Sequence, residues 1–173
     1  DNCRYRAKYG ISDNEPTFIY SGGISSWQCI NETIELAKRI KKAIPNSKFL
    51  FFSHNINYIQ NLCQGLGNSF FDSYTPDELE KALCAGDFAF MLRKDCLTNN
   101  VAFPNKYLEY VKSGMNIIST PYLIDTSAQI VKYEIGFIYD FDEDVYSLVD
   151  YVNQNLDKKY NLELRKEILL QNG

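Results

Sequence analysis

Short apolar runs alternate with amphipathic helix signals along most of the chain, and this alternation constrains the fold more than any other feature. The runs are rich in β-branched and aromatic side chains, as buried strands are. They lie at 17–20, 48–53, 69–71, 87–92, 115–120 and 137–139. Repeated β-α units form a parallel sheet that helices cover on both faces. The sequence therefore predicts an α/β fold with a doubly wound parallel sheet.

Capping signals predict where the helices begin. The strongest is Thr75-Pro76-Asp77-Glu78, with an N-cap threonine, proline at the first helical position and glutamate three residues after the cap. Ser25 and Gln28 fit a second capping box, and we expect one helix from about Trp27 to Ile44. Further helices are predicted at about 56–63, 75–86, 104–113, 127–133, 144–156 and 162–170.

Length and composition limit the class of protein. A chain of 173 residues suits one well-packed domain, which we assign to residues 1–173. The net charge of -4 argues against a nucleic-acid partner, and no apolar run is long enough to cross a bilayer. Five cysteines without a C-x-x-C pair favour reduced, buried thiols in a cytosolic protein. Because the first residue is Asp1, we expect a piece of a longer chain whose missing part lies upstream.

Three loops that follow strands are candidate ligand sites, because open parallel sheets bind ligands outside the carboxyl ends of their strands. The first contains Gly22 and Gly23, where backbone amides can approach an anion, although a Gly-Gly turn is more often only a turn. The second begins with Arg93, whose guanidinium can clamp a phosphate or can simply lie in a solvated loop.

The third candidate is the segment 103–110, in which Pro104 starts a helix and Lys106 and Glu109 share one helical face. An ammonium in the first turn suits a diphosphate, and a carboxylate one turn later can accept both hydroxyls of a ribose. The alternative is a surface ion pair worth about 0.2–0.5 kcal/mol. The residues alone leave both interpretations open.

Other polar residues give weaker signals. Asp140, Asp142 and Asp144 are spaced as in some metal motifs, but the calcium-loop positions for glycine and glutamate hold other residues, and we expect these acids to cap a helix. His54 is the only histidine, which excludes a multi-histidine zinc site, and we expect a loop residue rather than a ligand. Trp27 can stack on a base or sugar, or pack against the sheet.

Several of these segments resemble the C-terminal, donor-binding domain of group 1 glycosyltransferases, the retaining GT-B enzymes, of the type that builds surface polysaccharides. The segments 20–27 and 77–87 are similar to the family's first strand and loop and to its hinge helix. The most specific likeness is P-x-K-x-x-E-Y at 104–110, followed by G-x-x-I-I-S-T at 114–120. The resemblance implies a Rossmann-like doubly wound sheet, the C-terminal half of a GT-B fold.

The resemblance also implies roles for individual residues. Glu109 is expected to bind the ribose of the donor, and Lys106, with its neighbour Asn105 at the helix start, is expected to meet the diphosphate. The family's usual basic pair after the first strand corresponds to Gly23 and Gln28 here, so we expect Arg93 to share the diphosphate charge.

A second family position also differs, because Val101 stands where the family carries the first of two glutamates. This departure affects contacts to the transferred sugar. No catalytic residue is assigned, and no metal or cofactor is expected beyond the nucleotide diphosphate sugar, which is the donor substrate.

The function implied is transfer of a hexosyl group from a nucleotide diphosphate sugar to a glycan or lipid-linked acceptor in polysaccharide biosynthesis. The acceptor site, and any peripheral association with the membrane, would belong to a missing N-terminal half, so the domain alone is expected to be inactive. We expect a cytoplasmic protein, with the inner face of the membrane as a further location. Two alternatives remain: a non-catalytic Rossmann-like binding or regulatory domain, and half of a nucleotide-sugar epimerase.

Overall fold

The strands form a parallel sheet, as the alternation of strand and helix signals predicts. The computed structural model describes residues 2–158 and 160–172, and in them six strands pair in the order β3-β2-β1-β4-β5-β6. The strand order reverses between the parallel neighbours β1 and β4, so the loops after these strands flank the switch point at which such sheets bind ligands. The strands are β1 Thr17–Ser21, β2 Lys48–Phe52, β3 Ser69–Asp72, β4 Phe88–Met91, β5 Asn116–Ser119 and β6 Gly136–Ile138.

Helices cover both faces of the sheet, as expected for a doubly wound fold. One apolar core lies under α2, α3 and α8, and a second lies under α1, α4, α6, α7 and α9. The helices are α1 Asn2–Lys8, α2 Ile30–Ala43, α3 Ile56–Leu62, α4 Pro76–Leu83, α5 Leu97–Asn100, α6 Asn105–Ser113, α7 Ile124–Tyr133, α8 Tyr146–Asn155 and α9 Leu162–Asn172.

Aromatic side chains form the centre of the core beneath α2. The fully buried Phe18 of β1 stacks on Phe49 of β2, with ring centroids 5.4 Å apart, and on Phe88 of β4, with centroids 5.1 Å apart. Stacked rings across three neighbouring strands fix the spacing of those strands. The loops that leave β1, β2 and β4 therefore start from a rigid platform.

The predicted helix from Trp27 to Ile44 is wrong in its first turn. A short 3-10 turn, Ser26–Gln28, ends at Cys29, which has a φ of 54°, and α2 begins only at Ile30. The predicted capping box is present, but it caps this short turn instead of a long helix. Cys29 adopts the left-handed conformation, which breaks the helical ladder and redirects the chain.

Helix α1 was not predicted, because its main anchor is a charged residue. Arg6 is 6% exposed, and its Nη1 donates to the carbonyl oxygen of Ala85 at 3.0 Å and to Asp87 Oδ2 at 3.2 Å. Its Nη2 donates to the carbonyl oxygen of Ser12 at 2.6 Å. A helix that is anchored by a buried guanidinium lacks the apolar periodicity from which helices are predicted in a sequence.

Two smaller expectations also differ from the structure. Helix α7 begins at Ile124, three residues before the predicted start at Ser127. Cys29 and Cys63 are buried thiols, as expected, whereas Cys96 is exposed at the start of α5. Within the described residues, no helix has the length and hydrophobicity needed to cross a membrane.

Candidate functional site

A cleft lies at the carboxyl ends of β1, β2 and β3, where their loops meet the start of α6. Its inner part is a cavity of about 150 Å³ whose wall includes Gly22, Gly23, His54, Tyr74 and Lys106. Its outer part is a cavity of about 450 Å³ that shares His54, Tyr74 and Lys106 and adds Glu109. We call the two together the α6 cleft. Four of the six predicted site residues, Gly22, Gly23, Lys106 and Glu109, line it.

The pair predicted on α6 has the expected geometry. Lys106 Nζ donates to Glu109 Oε2 at 2.7 Å, and the two side chains are 27% and 38% exposed. The buried side chains of Tyr107 and Tyr110 hold α6 against the sheet. The helix therefore presents an ammonium in its first turn and a carboxylate one turn later, both accessible to a ligand in the cleft.

The glycine loop is shaped by its own neighbours as well as by the cleft. The Tyr20 hydroxyl donates to the carbonyl oxygen of Gly23 at 2.6 Å. A Cβ added at Gly23 would lie 2.9 Å from Gln28 Oε1, and one at Gly22 would lie 3.2 Å from Tyr20 Oη. The ends of the Tyr20 and Gln28 side chains thus lie close to the two glycines. The same lack of side chains leaves bare backbone on this wall of the cleft.

Arg93 lies near the site but does not line it. The residue is 9% exposed, and its Nη1 donates to the carbonyl oxygen of Leu92 at 2.7 Å. Among the residues described, no carboxylate lies within 4.0 Å of its guanidinium. Burial raises the pKa of Tyr20 to about 12, and the positive charge of Arg93 partly offsets that effect. Arg93 is therefore a buried cation, without a close countercharge, near the tyrosine that supports the glycine loop.

Asn105 is the remaining predicted site residue. It is the first residue of α6 and is exposed, but neither part of the α6 cleft includes it among its lining residues. The structure thus places it beside the cleft.

Two residues of the cleft wall were missed or set aside in the sequence. His54 was expected to be a loop residue, yet it lines both cavities, with Nδ1 2.8 Å from Ser73 Oγ. Tyr74 was not considered, and its hydroxyl contacts Lys8 Nζ at 2.8 Å and Asp72 Oδ2 at 3.0 Å. The sequence did contain a signal for both residues, namely their position directly after a strand. His54 follows β2 and Tyr74 follows β3, at the edge of the sheet where ligands bind.

Of the acids before α8, Asp144 contacts the start of the helix, as predicted, whereas Asp140 bonds elsewhere. Asp144 Oδ1 accepts the backbone amide of Tyr146 at 2.7 Å, and Asp140 Oδ1 accepts the hydroxyl of Tyr122 at 3.2 Å. Across residues 2–158 and 160–172, no group of three histidine, cysteine, aspartate or glutamate side chains is arranged to hold a metal ion. Trp27 is 51% exposed and so does not pack into the sheet.

Comparison with known proteins gives matches in structure only. No family model matches the sequence, and no curated protein matches it. The C-terminal domain of LpcC, a glycosyl transferase group 1 family protein from Francisella tularensis, aligns with 95% of this chain and 85% of its own, at 17% identity and a TM-score of 0.64. The chain has the fold of a group 1 glycosyltransferase C-terminal domain. The resemblance predicted from the sequence is confirmed at the level of fold.

Two longer proteins share this glycosyltransferase fold. WaaG, a glycosyltransferase involved in lipopolysaccharide biosynthesis, aligns with 95% of this chain at 16% identity and a TM-score of 0.67. TarM from S. aureus, solved as a mutant in complex with fondaparinux, alpha-GlcNAc-glycerol and UDP, aligns with 92% at 14% identity and a TM-score of 0.68. The alignments span 43% of WaaG and 33% of TarM, so this chain corresponds to less than half of either protein.

The segment between β4 and α6 contains Val101, one of the positions at which the resemblance seen in the sequence implies a departure. Val101 follows α5 and is 74% exposed, so an apolar side chain faces solvent at the position where the resemblance implies an acid. Leu97 and Phe103, on either side of it, are also exposed. This part of the edge presents apolar surface instead of a carboxylate.

Proposed function

We propose that this domain binds a nucleotide diphosphate sugar and, within a longer enzyme, presents its hexosyl group for transfer to a glycan or lipid-linked acceptor in polysaccharide biosynthesis. The observation that carries the proposal is the composition of the α6 cleft. Gly22, Gly23 and Lys106 line one cavity, and Glu109 lies one helical turn after Lys106. These groups lie beside the switch point of a fold shared with glycosyltransferases.

Electrostatics supports a diphosphate at the start of α6. The helix N-terminus and the Lys106 ammonium both favour negative charge in the inner cavity. A bound diphosphate would replace Glu109 as the partner of Lys106, which frees the Glu109 carboxylate to accept two ribose hydroxyls. The buried charge of Arg93 would add longer-range stabilisation at the same edge. Such fixed charges can stabilise a departing diphosphate without a metal.

The structural neighbours suggest which nucleotide to test first. The TarM structure contains UDP, and WaaG acts in lipopolysaccharide biosynthesis. We therefore propose a uridine diphosphate sugar as the donor. The acceptor would bind in the part of the enzyme that corresponds to the rest of those longer chains, and we propose a cytoplasmic enzyme that reaches a membrane-linked acceptor through that part.

Calorimetry of the domain with UDP, GDP, ADP, TDP and CMP tests the proposal. One nucleoside diphosphate should bind selectively, and Glu109→Gln should weaken it by tenfold or more, since a hydrogen bond to a charged group contributes about 1.5–3 kcal/mol. Glu163→Gln, which removes an exposed carboxylate from α9, is the matched control and should bind like the wild type. If no nucleotide binds, or if Glu109→Gln binds the nucleotide as tightly as the control Glu163→Gln does, the α6 cleft is not a donor site.

A non-catalytic binding domain is the second candidate, and the exposed Val101 favours it. In that case the domain would bind the nucleotide but contribute to no transfer. Radiolabelled sugar transfer by the longer protein separates the two functions, because a binding domain would leave the labelled donor intact under conditions in which calorimetry shows saturation.

A further inference from the structure

A second cavity lies on the opposite face of the sheet from the α6 cleft. It has a volume of about 570 Å³ and lies between α2 and the segment that follows β6. Its wall also contains Lys94, which follows β4, so the cavity opens at the same ligand-binding edge of the sheet. We call it the α2 groove. Its volume lies within the range of small-molecule sites, about 300–1,000 Å³.

The floor of the α2 groove is apolar and aromatic. Leu36 and Tyr139 are buried, and Phe141 is half-buried and packs on the core beneath α2. The ring of Tyr122 stacks on Phe141, with centroids 6.4 Å apart and an interplanar angle of 20°. The core and Tyr122 therefore restrain the aromatic ring of Phe141 in the wall of the groove.

The rim of the groove consists of charged groups that already have partners. Lys94 Nζ lies 2.6 Å from Glu32 Oε1, and this hydrogen bond raises the pKa of Lys94. Arg39 donates to the Tyr139 hydroxyl at 2.5 Å and to the carbonyl oxygen of Glu143 at 3.0 Å. These contacts fix the directions in which the charged groups can accept or donate further hydrogen bonds.

Charge separates the α2 groove from the α6 cleft. Its lining contains two carboxylates, Glu32 and Glu35, and two cations, Arg39 and Lys94, so the formal charges cancel. A nucleotide or phosphate would find no excess positive charge there, because the two carboxylates offset the two cations. A ligand with many hydroxyls and no net charge suits this rim, since a carboxylate accepts and a guanidinium donates two hydrogen bonds at once.

We propose that the α2 groove binds a neutral saccharide, with a sugar ring lying on Phe141 and its hydroxyls bonded to Glu32, Glu35 and Arg39. An aromatic surface contacts the apolar C–H face of the ring, and the rim fixes its orientation. Because the groove and the α6 cleft lie on opposite faces, both can be occupied together. This binding does not depend on the proposed donor function of the α6 cleft.

Saturation-transfer NMR and calorimetry with neutral trisaccharides test the inference. The probes are maltotriose, cellotriose and N,N',N''-triacetylchitotriose, each titrated with and without saturating UDP. At least one should bind with a dissociation constant of about 1 mM or lower. Phe141→Ala and Glu35→Gln should each weaken that binding fivefold or more. Glu35 is exposed, so Glu35→Gln keeps the test independent of any effect of Phe141→Ala on folding.

Two control variants separate this inference from the proposed function. Lys106→Met should leave saccharide binding unchanged, and Glu163→Gln should leave the binding of both saccharide and nucleotide unchanged. If a saccharide binds but no nucleotide does, the proposed donor site is wrong and the saccharide site in the α2 groove is supported. If none of the trisaccharides binds, or if Phe141→Ala and Glu35→Gln both bind like the wild type, the α2 groove is not a saccharide site.

Discussion

Replacing Arg6 by methionine should destabilise the fold strongly, although Arg6 lies far from the α6 cleft in sequence. Arg6 is 6% exposed, and its guanidinium donates to Ala85, Asp87 and Ser12, and also to the carbonyl oxygen of Glu15 at 3.1 Å. Methionine fills a similar volume but donates no hydrogen bond. The substitution leaves the buried Asp87 carboxylate without this cation and several carbonyl oxygens without a donor.

The expected loss is large because both partners of the ion pair are buried, with side-chain exposures of 7% and 10%. Removing one member of a buried pair costs about 3–5 kcal/mol. A domain of this kind has a total free energy of unfolding of about 5–15 kcal/mol. With a urea m-value of about 2 kcal/mol per molar, the midpoint of unfolding should fall by about 2 M.

Urea unfolding followed by circular dichroism measures this difference. Asp13→Asn is the matched control, because Asp13 lies 4.0 Å from Arg6 Nε and is fully exposed, and its removal should leave the midpoint unchanged. An exposed ion pair contributes at most about 1 kcal/mol. If Arg6→Met lowers the free energy of unfolding by less than this, the buried pair does not hold α1 to the sheet.

Three further substitutions or conditions test the site and the fold. Lys106→Met should lower nucleoside diphosphate affinity by tenfold or more but change the unfolding midpoint little, because a half-exposed helical ion pair is worth about 0.2–0.5 kcal/mol. Gly114→Ala should cost about 1–2 kcal/mol by urea unfolding, because Gly114 has a φ of 77° and the new Cβ would displace Arg165. Burial raises the pKa of Asp72, but hydrogen bonds led by that from Lys8 outweigh it and lower the pKa below its ordinary value. The ionised Asp72 carboxylate therefore stabilises the fold above its unfolded pKa, and this stabilisation is lost as the pH falls through its folded pKa. When the pH is lowered below about 4, the urea midpoint of unfolding should decrease less in Asp72→Asn than in the wild type.

The sheet could be predicted because each strand coincides with one contiguous apolar run. Strand β1, for example, is buried at every residue and so leaves the same signal whatever surrounds it. The errors occurred where polar or strained residues decide the structure. Arg6 anchors α1 through hydrogen bonds, and Cys29 interrupts a helical pattern through a single left-handed residue. Neither effect changes the hydrophobic periodicity of the sequence.

Part of the α6 cleft could be predicted for a similar reason. Lys106 and Glu109 lie on one face of a helix whose start is marked by proline, so their separation follows from helical geometry alone. His54 and Tyr74 reach the same cleft from the ends of β2 and β3, and their meeting depends on the strand order. A sequence without that order shows only two separate loop residues.

The segment after β4 shows most clearly what sequence cannot reveal. Arg93 and Lys94 are adjacent cations, and the sequence is consistent with a solvated loop position for both of them. Thr120, 27 residues later, accepts the backbone amide of Arg93 at 2.9 Å and donates to its carbonyl oxygen at 2.7 Å. That contact holds Arg93 in a buried position, while Lys94 remains exposed and pairs with Glu32 on the other face of the sheet. One short loop thus places a buried cation near Tyr20 and an exposed cation in the wall of the α2 groove.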